Sequence, residues 1–137
     1  MTVRFSNPTG VHAPLGLYSH TASVPEGTEL IFIAGQVGVR PDGSTPGTIA
    51  EQADQVFANL IALLKAHGLE PKSIVKLTTF MVAGHDGDAV RAARLKYLGA
   101  HRPASTAVFV SQLVDPAWLV EVEAVAAKLK APGNRGT

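Results

Sequence analysis

The spacing of apolar and polar positions changes several times along the chain, and each change predicts a new element. The run Leu30-Ile31-Phe32-Ile33-Ala34 is short, apolar and rich in residues that favour strands, and it stops at Gly35. The residues that follow, Arg40-Pro41-Asp42-Gly43, are typical of a turn. These features predict a buried strand over residues 30–34 that ends before a turn.

A helical period begins at Thr48. Thr48 and Glu51 form a capping-box pair at its start, and Gly68 ends the helix. Apolar residues recur three and four positions apart between these ends, at Ile49, Ala53, Val56, Phe57, Leu60, Leu63 and Leu64. A second, weaker helical pattern runs over 86–99, with apolar positions at Val90, Leu95 and Leu98.

The remaining apolar runs are rich in β-branched and aromatic residues and predict strands. They cover 73–82, 104–110 and 119–127, and the last two are separated by the pattern-breaking Asp115-Pro116-Ala117. The predicted order is β-β-α-β-α-β-β, with another short strand near Val3.

Strands interrupted by only two helices predict an α+β fold in which both helices pack on one face of a mixed sheet. The chain has too few elements to cover the other face of that sheet. We therefore expect an oligomer whose sheets meet, with ligand sites where the subunits join.

The composition is that of one soluble domain. The chain has 137 residues, of which 46% are apolar and 17% are charged, and this allows a single core. We expect the domain to span 1–130 and residues 131–137, which are small, polar and unpatterned, to form a flexible tail. The first residues contain no apolar run like that of a signal peptide, and no segment has the length of a membrane helix. A cytoplasmic protein is the expectation.

Charge and residue usage argue against several kinds of chemistry. The 12 basic and 11 acidic residues give a net charge of +1, too little for the broad positive field that attracts nucleic acid. The absence of cysteine excludes disulfides, thiolate catalysis and cysteine-based metal sites. The five histidines lack the close spacing of metal-binding motifs, so no metal is expected.

Five short motifs occur in a particular order along the chain: Tyr18-Ser19, Gly35-Gln36, Asn59-Leu60, Pro103-Ala104 and Val120-Glu121-Val122-Glu123-Ala124. Together they resemble the RidA/YjgF (Rid) family, which includes enamine and imine deaminases. The resemblance implies a chorismate-mutase-like α+β fold that assembles into a homotrimer. The three sheets would line a central barrel, and three clefts would lie between the subunits.

The resemblance also implies which residues line the cleft. Tyr18 would form a wall against a planar ligand, Gly35 and Ala107 would offer backbone polar contacts, and Glu121 would orient a water molecule. Ser105 stands where the deaminating relatives have an arginine that holds the substrate carboxylate. Because a hydroxyl cannot replace a guanidinium fork, we expect a substrate other than the arginine-clamped 2-aminoacrylate.

Taken residue by residue, these positions also have simpler interpretations. Tyr18 is equally explained as ordinary strand filling, and Glu121 as a solvated or ion-paired group. Arg102 is a candidate to return a cation to the cleft as a substrate-binding residue, or else forms a surface or intersubunit ion pair. Arg91 and Arg94, three positions apart on the second helix, are expected to form a solvated stripe.

The function implied by the resemblance is hydrolysis of small, reactive enamine or imine metabolites, in which water attacks the imine carbon and ammonia leaves. No metal or organic cofactor would be needed. Two alternatives stay open. The first is a trimeric binding or regulatory protein that holds a small metabolite without turnover, which the missing arginine favours. The second is an endoribonuclease, which the near-neutral charge disfavours.

Overall fold

The computed structural model describes residues 2–130, and the expected tail at 131–137 lies outside them. Along the described residues the elements follow the order β1 (Arg4–Ser6), β2 (Thr21–Ser23), β3 (Glu29–Val37), α1 (Ile49–Ala66), β4 (Ile74–Val82), α2 (Gly87–Leu98), β5 (Ala104–Val110) and β6 (Val120–Lys128). A single 3-10 turn at Pro71–Ser73 leads into β4. The predicted α+β class is confirmed, and the predicted order of elements agrees with the structure.

Each helix begins directly after a residue whose side chain caps it, Thr48 for α1 and Asp86 for α2, and the sequence predicted the cap at Thr48. The Thr48 hydroxyl accepts a hydrogen bond from the Glu51 N–H at 3.2 Å and donates to the Glu51 carboxylate at 2.9 Å. The Asp86 carboxylate accepts from the Asp88 N–H at 2.9 Å. These bonds satisfy N–H groups that the helix itself leaves without partners. Gly99 then ends α2 with a φ of 56°, a backbone conformation that side chains disfavour.

The main sheet has four strands in the order β3-β6-β4-β5. Strand β6 pairs antiparallel with both β3 and β4, whereas β4 and β5 are parallel, so the sheet is mixed. Strands β1 and β2 form a separate two-stranded sheet. The core lies between the main sheet and the two helices, and its fully buried side chains include Phe57, Leu60, Leu77, Val120 and Val122.

The strand register decides which side chains face the helices. Val120 and Val122 are buried against the helices, so Glu121 between them points to the opposite, open face of the sheet. Ser105 pairs with the buried Leu77, which places Ser105 on the helix face. Residues that are close in the sheet therefore lie on two different surfaces.

The open face carries large apolar side chains that nothing in this single chain covers. Phe32 is 75% exposed and Leu30 is 43% exposed, and Val108 also reaches solvent. The prediction of a buried strand over 30–34 is therefore wrong for the single chain: β3 is an edge strand, and of this run only Ile33 is buried. The physical reason is the one noted from the sequence, because two helices can cover only one face.

Candidate functional site

A cavity of about 370 Å³ opens between the helix face of the sheet, helix α2 and the segment 15–18. Strands β4 and β5 form its floor and α2 forms one wall. The lining residues are Leu15, Gly16, Leu17, Tyr18, Phe57, Thr79, Met81, Gly87, Asp88, Val90, Arg91, Arg94, Ser105 and Ala107. Three residues predicted for the cleft, Tyr18, Ser105 and Ala107, meet in this pocket.

The segment 15–18 is held beside strand β5 by hydrogen bonds at Ser19. Ser19 forms a parallel bridge with Ala104, and its N–H donates to the Pro103 carbonyl at 3.2 Å. The Ser19 hydroxyl donates to the Arg102 carbonyl at 2.6 Å. The Tyr18 hydroxyl accepts from the Leu15 N–H at 3.1 Å, which leaves its own proton free to donate. The aromatic wall is thus fixed by the backbone of its neighbours.

Arg94 enters the pocket from α2 and contacts Ser105, at the position where the resemblance predicted an arginine. Its Nη2 donates to the Ser105 hydroxyl at 3.0 Å and to the Leu17 carbonyl. The Ser105 hydroxyl in turn donates to the Pro103 carbonyl at 3.0 Å. The expectation that Arg94 belongs to a solvated stripe is therefore wrong, whereas Arg91 is exposed as expected.

The charge of Arg94 is poorly compensated. Burial, followed by repulsion from Arg102 and Arg91, lowers the pKa of Arg94 to about 10. Its Nε is buried and has no hydrogen-bond partner within the described part of the chain. None of the ion pairs formed within residues 2–130 includes Arg94, and the one carboxylate that lines the pocket, Asp88, is exposed.

Gly35 and Glu121, two further residues predicted for the cleft, contact each other on the open face. A Cβ added at Gly35 would lie 2.8 Å from the Glu121 Cδ and 3.1 Å from its Cγ. A bulge in β3 between Ile33 and Gln36 shifts the pairing at this point. A larger residue at position 35 would displace the Glu121 side chain, which occupies the space beside the glycine.

Helix α1 supports this end of β3 through Asn59. The Asn59 side-chain amide donates to the Val37 carbonyl at 3.2 Å and to the Val39 carbonyl at 3.0 Å. Val37 is the residue that pairs with Glu121 across the sheet. The Asn59 hydrogen bonds therefore fix the part of the β3 backbone that pairs with Glu121.

The structure brings the predicted residues together in two groups rather than one. Tyr18, Ser105 and Ala107 share the pocket on the helix face, while Gly35 and Glu121 lie on the open face of the same sheet. Arg102 lines neither: its Nη1 donates to the Gly99 carbonyl at 2.7 Å and to the His101 carbonyl at 3.1 Å, beyond the end of α2. A single chain cannot bring Glu121 to the pocket, so joining the two groups requires a second chain.

Sequence reasoning missed Arg94, although the sequence carries a signal for it. Arg94 lies four residues after the buried Val90 and four before the buried Leu98, which places it on the buried stripe of α2. By contrast Leu95, predicted as part of the apolar face, is exposed.

Residues 2–130 contain neither a membrane-spanning helix nor a cluster of metal-binding side chains. No helix there has the length and apolar character needed to cross a membrane. No group of three or more histidine, aspartate or glutamate side chains in that part of the chain is arranged to hold a metal ion.

Comparison with known proteins gives consistent matches over most of the chain. A family model described as Endoribonuclease L-PSP matches residues 10–128. A 2-iminobutanoate/2-iminopropanoate deaminase of Mus musculus is 33% identical over 120 residues, which are 86% of this chain and 86% of the relative. A RutC family protein of Pyrococcus horikoshii is 32% identical over 117 residues, 84% of this chain and 90% of the relative. Among solved structures, the Rid family protein YyfB of Yersinia pestis, itself of unknown function, matches with a TM-score of 0.78 and 29% identity. That match covers 92% of this chain and 98% of YyfB.

Proposed function

Because this chain belongs to the RidA/YjgF family, we propose that it hydrolyses small, reactive enamine and imine metabolites, releasing ammonia and leaving a carbonyl product. One observation carries the proposal beyond family membership: Tyr18, Ser105 and Ala107 converge in one cavity of about 370 Å³. A pocket of this size with mixed apolar and polar walls suits a small metabolite. The deaminase named among the relatives supports the same substrate class.

The proposed active unit is a homotrimer, because the site is incomplete in one chain. Glu121 lies on the open face, which also exposes the apolar side chains of Phe32 and Leu30. Sheets that meet around a central barrel would cover this face. Clefts between subunits would then bring Glu121 of one chain towards the pocket that holds Tyr18 and Ser105 in the next.

The reaction needs little acid–base power from the protein. An enamine first takes a proton on carbon and loses one from nitrogen, which makes it an imine. Water, oriented by the Glu121 carboxylate, adds to the imine carbon and gives one proton to the nitrogen. The hydroxyl proton of the resulting carbinolamine moves to the nitrogen as the C–N bond breaks, so that ammonia leaves and a carbonyl group remains. Tyr18 would wall the cleft, the backbone near Gly35 and Ala107 would bind polar atoms, and positioning would supply most of the rate acceleration.

The test is ammonia release from 2-iminopropanoate and 2-aminoacrylate generated in the assay. Wild type should accelerate release, and Glu121→Gln should lower the rate by about 100-fold or more, the range of general acid–base contributions. Glu123→Gln is the matched control, because Glu123 lies on the same strand and face but is exposed. Light scattering should show the same trimer for all three proteins. Equal rates for Glu121→Gln and wild type would refute the role of Glu121.

A binding or regulatory role without turnover is the second candidate, and the serine at position 105 favours it. In that case the same assay would show no ammonia release, while a small metabolite would still bind. An endoribonuclease role is less favoured, because a net charge of +1 gives little attraction to RNA. Salt-dependent RNA binding followed by cleavage would reveal it.

A further inference from the structure

We propose that Arg94 is the anion-binding residue of the pocket, and that the ligand is a small molecule with one carboxylate at one end. The inference rests on the proposed function in one respect, that both use the same pocket. The sequence predicted a cleft with no guanidinium at position 105. The structure brings a guanidinium to Ser105 from α2 instead.

The Arg94 side chain has more hydrogen-bond donors than acceptors around it. A guanidinium has five N–H groups, and the two hydrogen bonds to Leu17 and Ser105 both come from Nη2. The Nε–H is buried without an acceptor in the described residues. Buried donors are normally paired, and an unpaired one is costly. A bound carboxylate would supply acceptor atoms at this guanidinium.

The positive charge of Arg94 has no opposite charge beside it in the described residues. Arg94 is drawn into the pocket, its pKa is lowered by burial and by two neighbouring arginines, and no carboxylate lies within 4.0 Å of it in residues 2–130. Buried charges are usually paired with an opposite charge. An anionic ligand would provide that opposite charge where the described chain does not.

The remaining walls of the pocket favour a particular kind of anion. Apart from Arg94 and the exposed side chains of Asp88 and Arg91, the lining residues are uncharged, with apolar contributions from Leu15, Met81 and Val90. One partly buried guanidinium beside apolar walls suits a planar monoanion with a short apolar body, because carboxylate and guanidinium match in geometry. The Tyr18 hydroxyl proton is available as a further donor.

Ser105 acts in this arrangement as a positioning residue. Its hydroxyl proton is directed to the Pro103 carbonyl, so its lone pair faces the Arg94 Nη2. The serine therefore holds the guanidinium against the floor of the pocket. A residue at this position that lacks an oxygen would leave the guanidinium held by the Leu17 carbonyl without its second contact.

The experiment measures binding rather than turnover, so that it is independent of deaminase activity. The probes are 2-oxobutanoate, the carbonyl product expected from a four-carbon substrate, and its neutral amide, titrated by calorimetry at low salt. Wild type should bind the carboxylate at least about 10-fold more tightly than the amide, and Arg94→Gln should lose about 10- to 100-fold in affinity for the carboxylate only. Lys65→Gln, which removes one exposed charge that does not line the pocket, should stay within about twofold of wild type.

Ser105 variants test the positioning role. Ser105→Ala should weaken carboxylate binding about threefold to tenfold, and Ser105→Thr, which keeps the hydroxyl, should restore it. Equal binding of the acid and the amide by wild type would overturn the proposal even if Arg94→Gln failed to fold. Unchanged carboxylate binding by a folded Arg94→Gln would also overturn it.

The two proposals fail in distinguishable ways. Carboxylate binding that depends on Arg94, together with no ammonia release from imines, would leave the anion site standing and refute the deaminase. Ammonia release that persists in Arg94→Gln with an unchanged KM would support the deaminase and refute the anion site.

Discussion

Replacing Arg94 with methionine should abolish carboxylate binding and leave the fold at least as stable as wild type. Methionine fills a similar volume with a flexible apolar chain and removes the charge. A charged residue that is retained for ligand binding is expected to destabilise the ligand-free protein, because a binding site is often strained until it is occupied.

The expected size follows from the surroundings of the guanidinium. Burial lowers the pKa of Arg94 from its ordinary value to about 10, so the folded state disfavours the charged form that is present at pH 7. A fall of this size corresponds to at most about 3 kcal/mol, and solvent screening at the open side of the pocket reduces it to about 1–2 kcal/mol. The destabilisation would disappear only as the pH rises through the folded pKa towards the unfolded one, so it is fully present at neutral pH.

The loss of two hydrogen bonds in Arg94→Met opposes the stability that is gained by removing the buried charge. The Leu17 carbonyl and the Ser105 hydroxyl would each lose the Nη2 donor, at a cost of about 0.5 kcal/mol each because water can reach both through the open pocket. The net change in the free energy of unfolding should therefore lie between about zero and a gain of about 1 kcal/mol.

Urea denaturation followed by the fluorescence of Trp118, the single tryptophan, measures this change. Wild type and variant must be compared at one protomer concentration, because assembly contributes to stability. Addition of 2-oxobutanoate should raise the midpoint of wild type but not that of Arg94→Met. A loss of more than about 1 kcal/mol in the variant would refute the reasoning. Arg94 would then have a structural role, in which its hydrogen bonds hold the segment 15–18 against β5.

Three further predictions address the rest of the molecule. Gly35→Ala should displace the Glu121 side chain, since the new Cβ would lie 2.8 Å from its Cδ. Ammonia release should therefore fall about 10-fold or more, while the urea midpoint stays near that of wild type. Full activity of this variant would contradict the placement of Glu121. Gln52→Ala should lower the free energy of unfolding by about 3 kcal/mol, because this buried amide forms three hydrogen bonds to loop backbone. A loss below about 1 kcal/mol, measured by urea denaturation, would show that these bonds do not stabilise the loops as proposed. The Lys96 ammonium, 2.7 Å away, holds the pKa of Asp54 below its usual 3.8, so Asp54→Asn should cost less than about 1 kcal/mol at pH 7. That difference should vanish as the pH falls through the depressed pKa of the folded state, and a difference that persisted in acid would contradict the assignment.

The residues predicted for the cleft are divided between the two faces of the main sheet. Glu121 and Ser105 lie on opposite sides of that sheet, so variants at these positions probe different surfaces of a subunit. If the proposed trimer forms, mixed assemblies of two variants would test this division. Chains carrying Glu121→Gln mixed with chains carrying Ser105→Ala would form some clefts that contain both changes and some that contain neither.

Local features of the sequence determined the order of elements and their ends. The capping pair of Thr48 and Glu51, the cap at Asp86 and the glycine after α2 depend on hydrogen bonds and backbone angles within a few residues, so they can be read from the chain. The five motifs similarly sufficed to indicate the family, because their order and spacing are properties of the sequence itself.

The tertiary structure alone decided which predicted residues share a surface. Whether Ser105 faces the helices depends on its pairing with Leu77 in a parallel strand 28 positions away in sequence, and a shift of one residue would have reversed its direction. The exposure of Phe32 likewise depends on β3 lying at the sheet edge with its outer face uncovered. Neither register nor strand order is a local property, so neither follows from the apolar pattern.

Arg94 shows the same limit at the candidate site. Its spacing from Val90 and Leu98 places it on the buried side of α2, but the sequence does not indicate which residues pack against that side. Only the placement of α2, packed against α1, brings the guanidinium to Ser105, where an arginine was expected. The amino-acid sequence shows that position 105 carries no cation. The structure shows that helix α2 brings one to this position, because side chains distant in sequence become neighbours only when the elements pack.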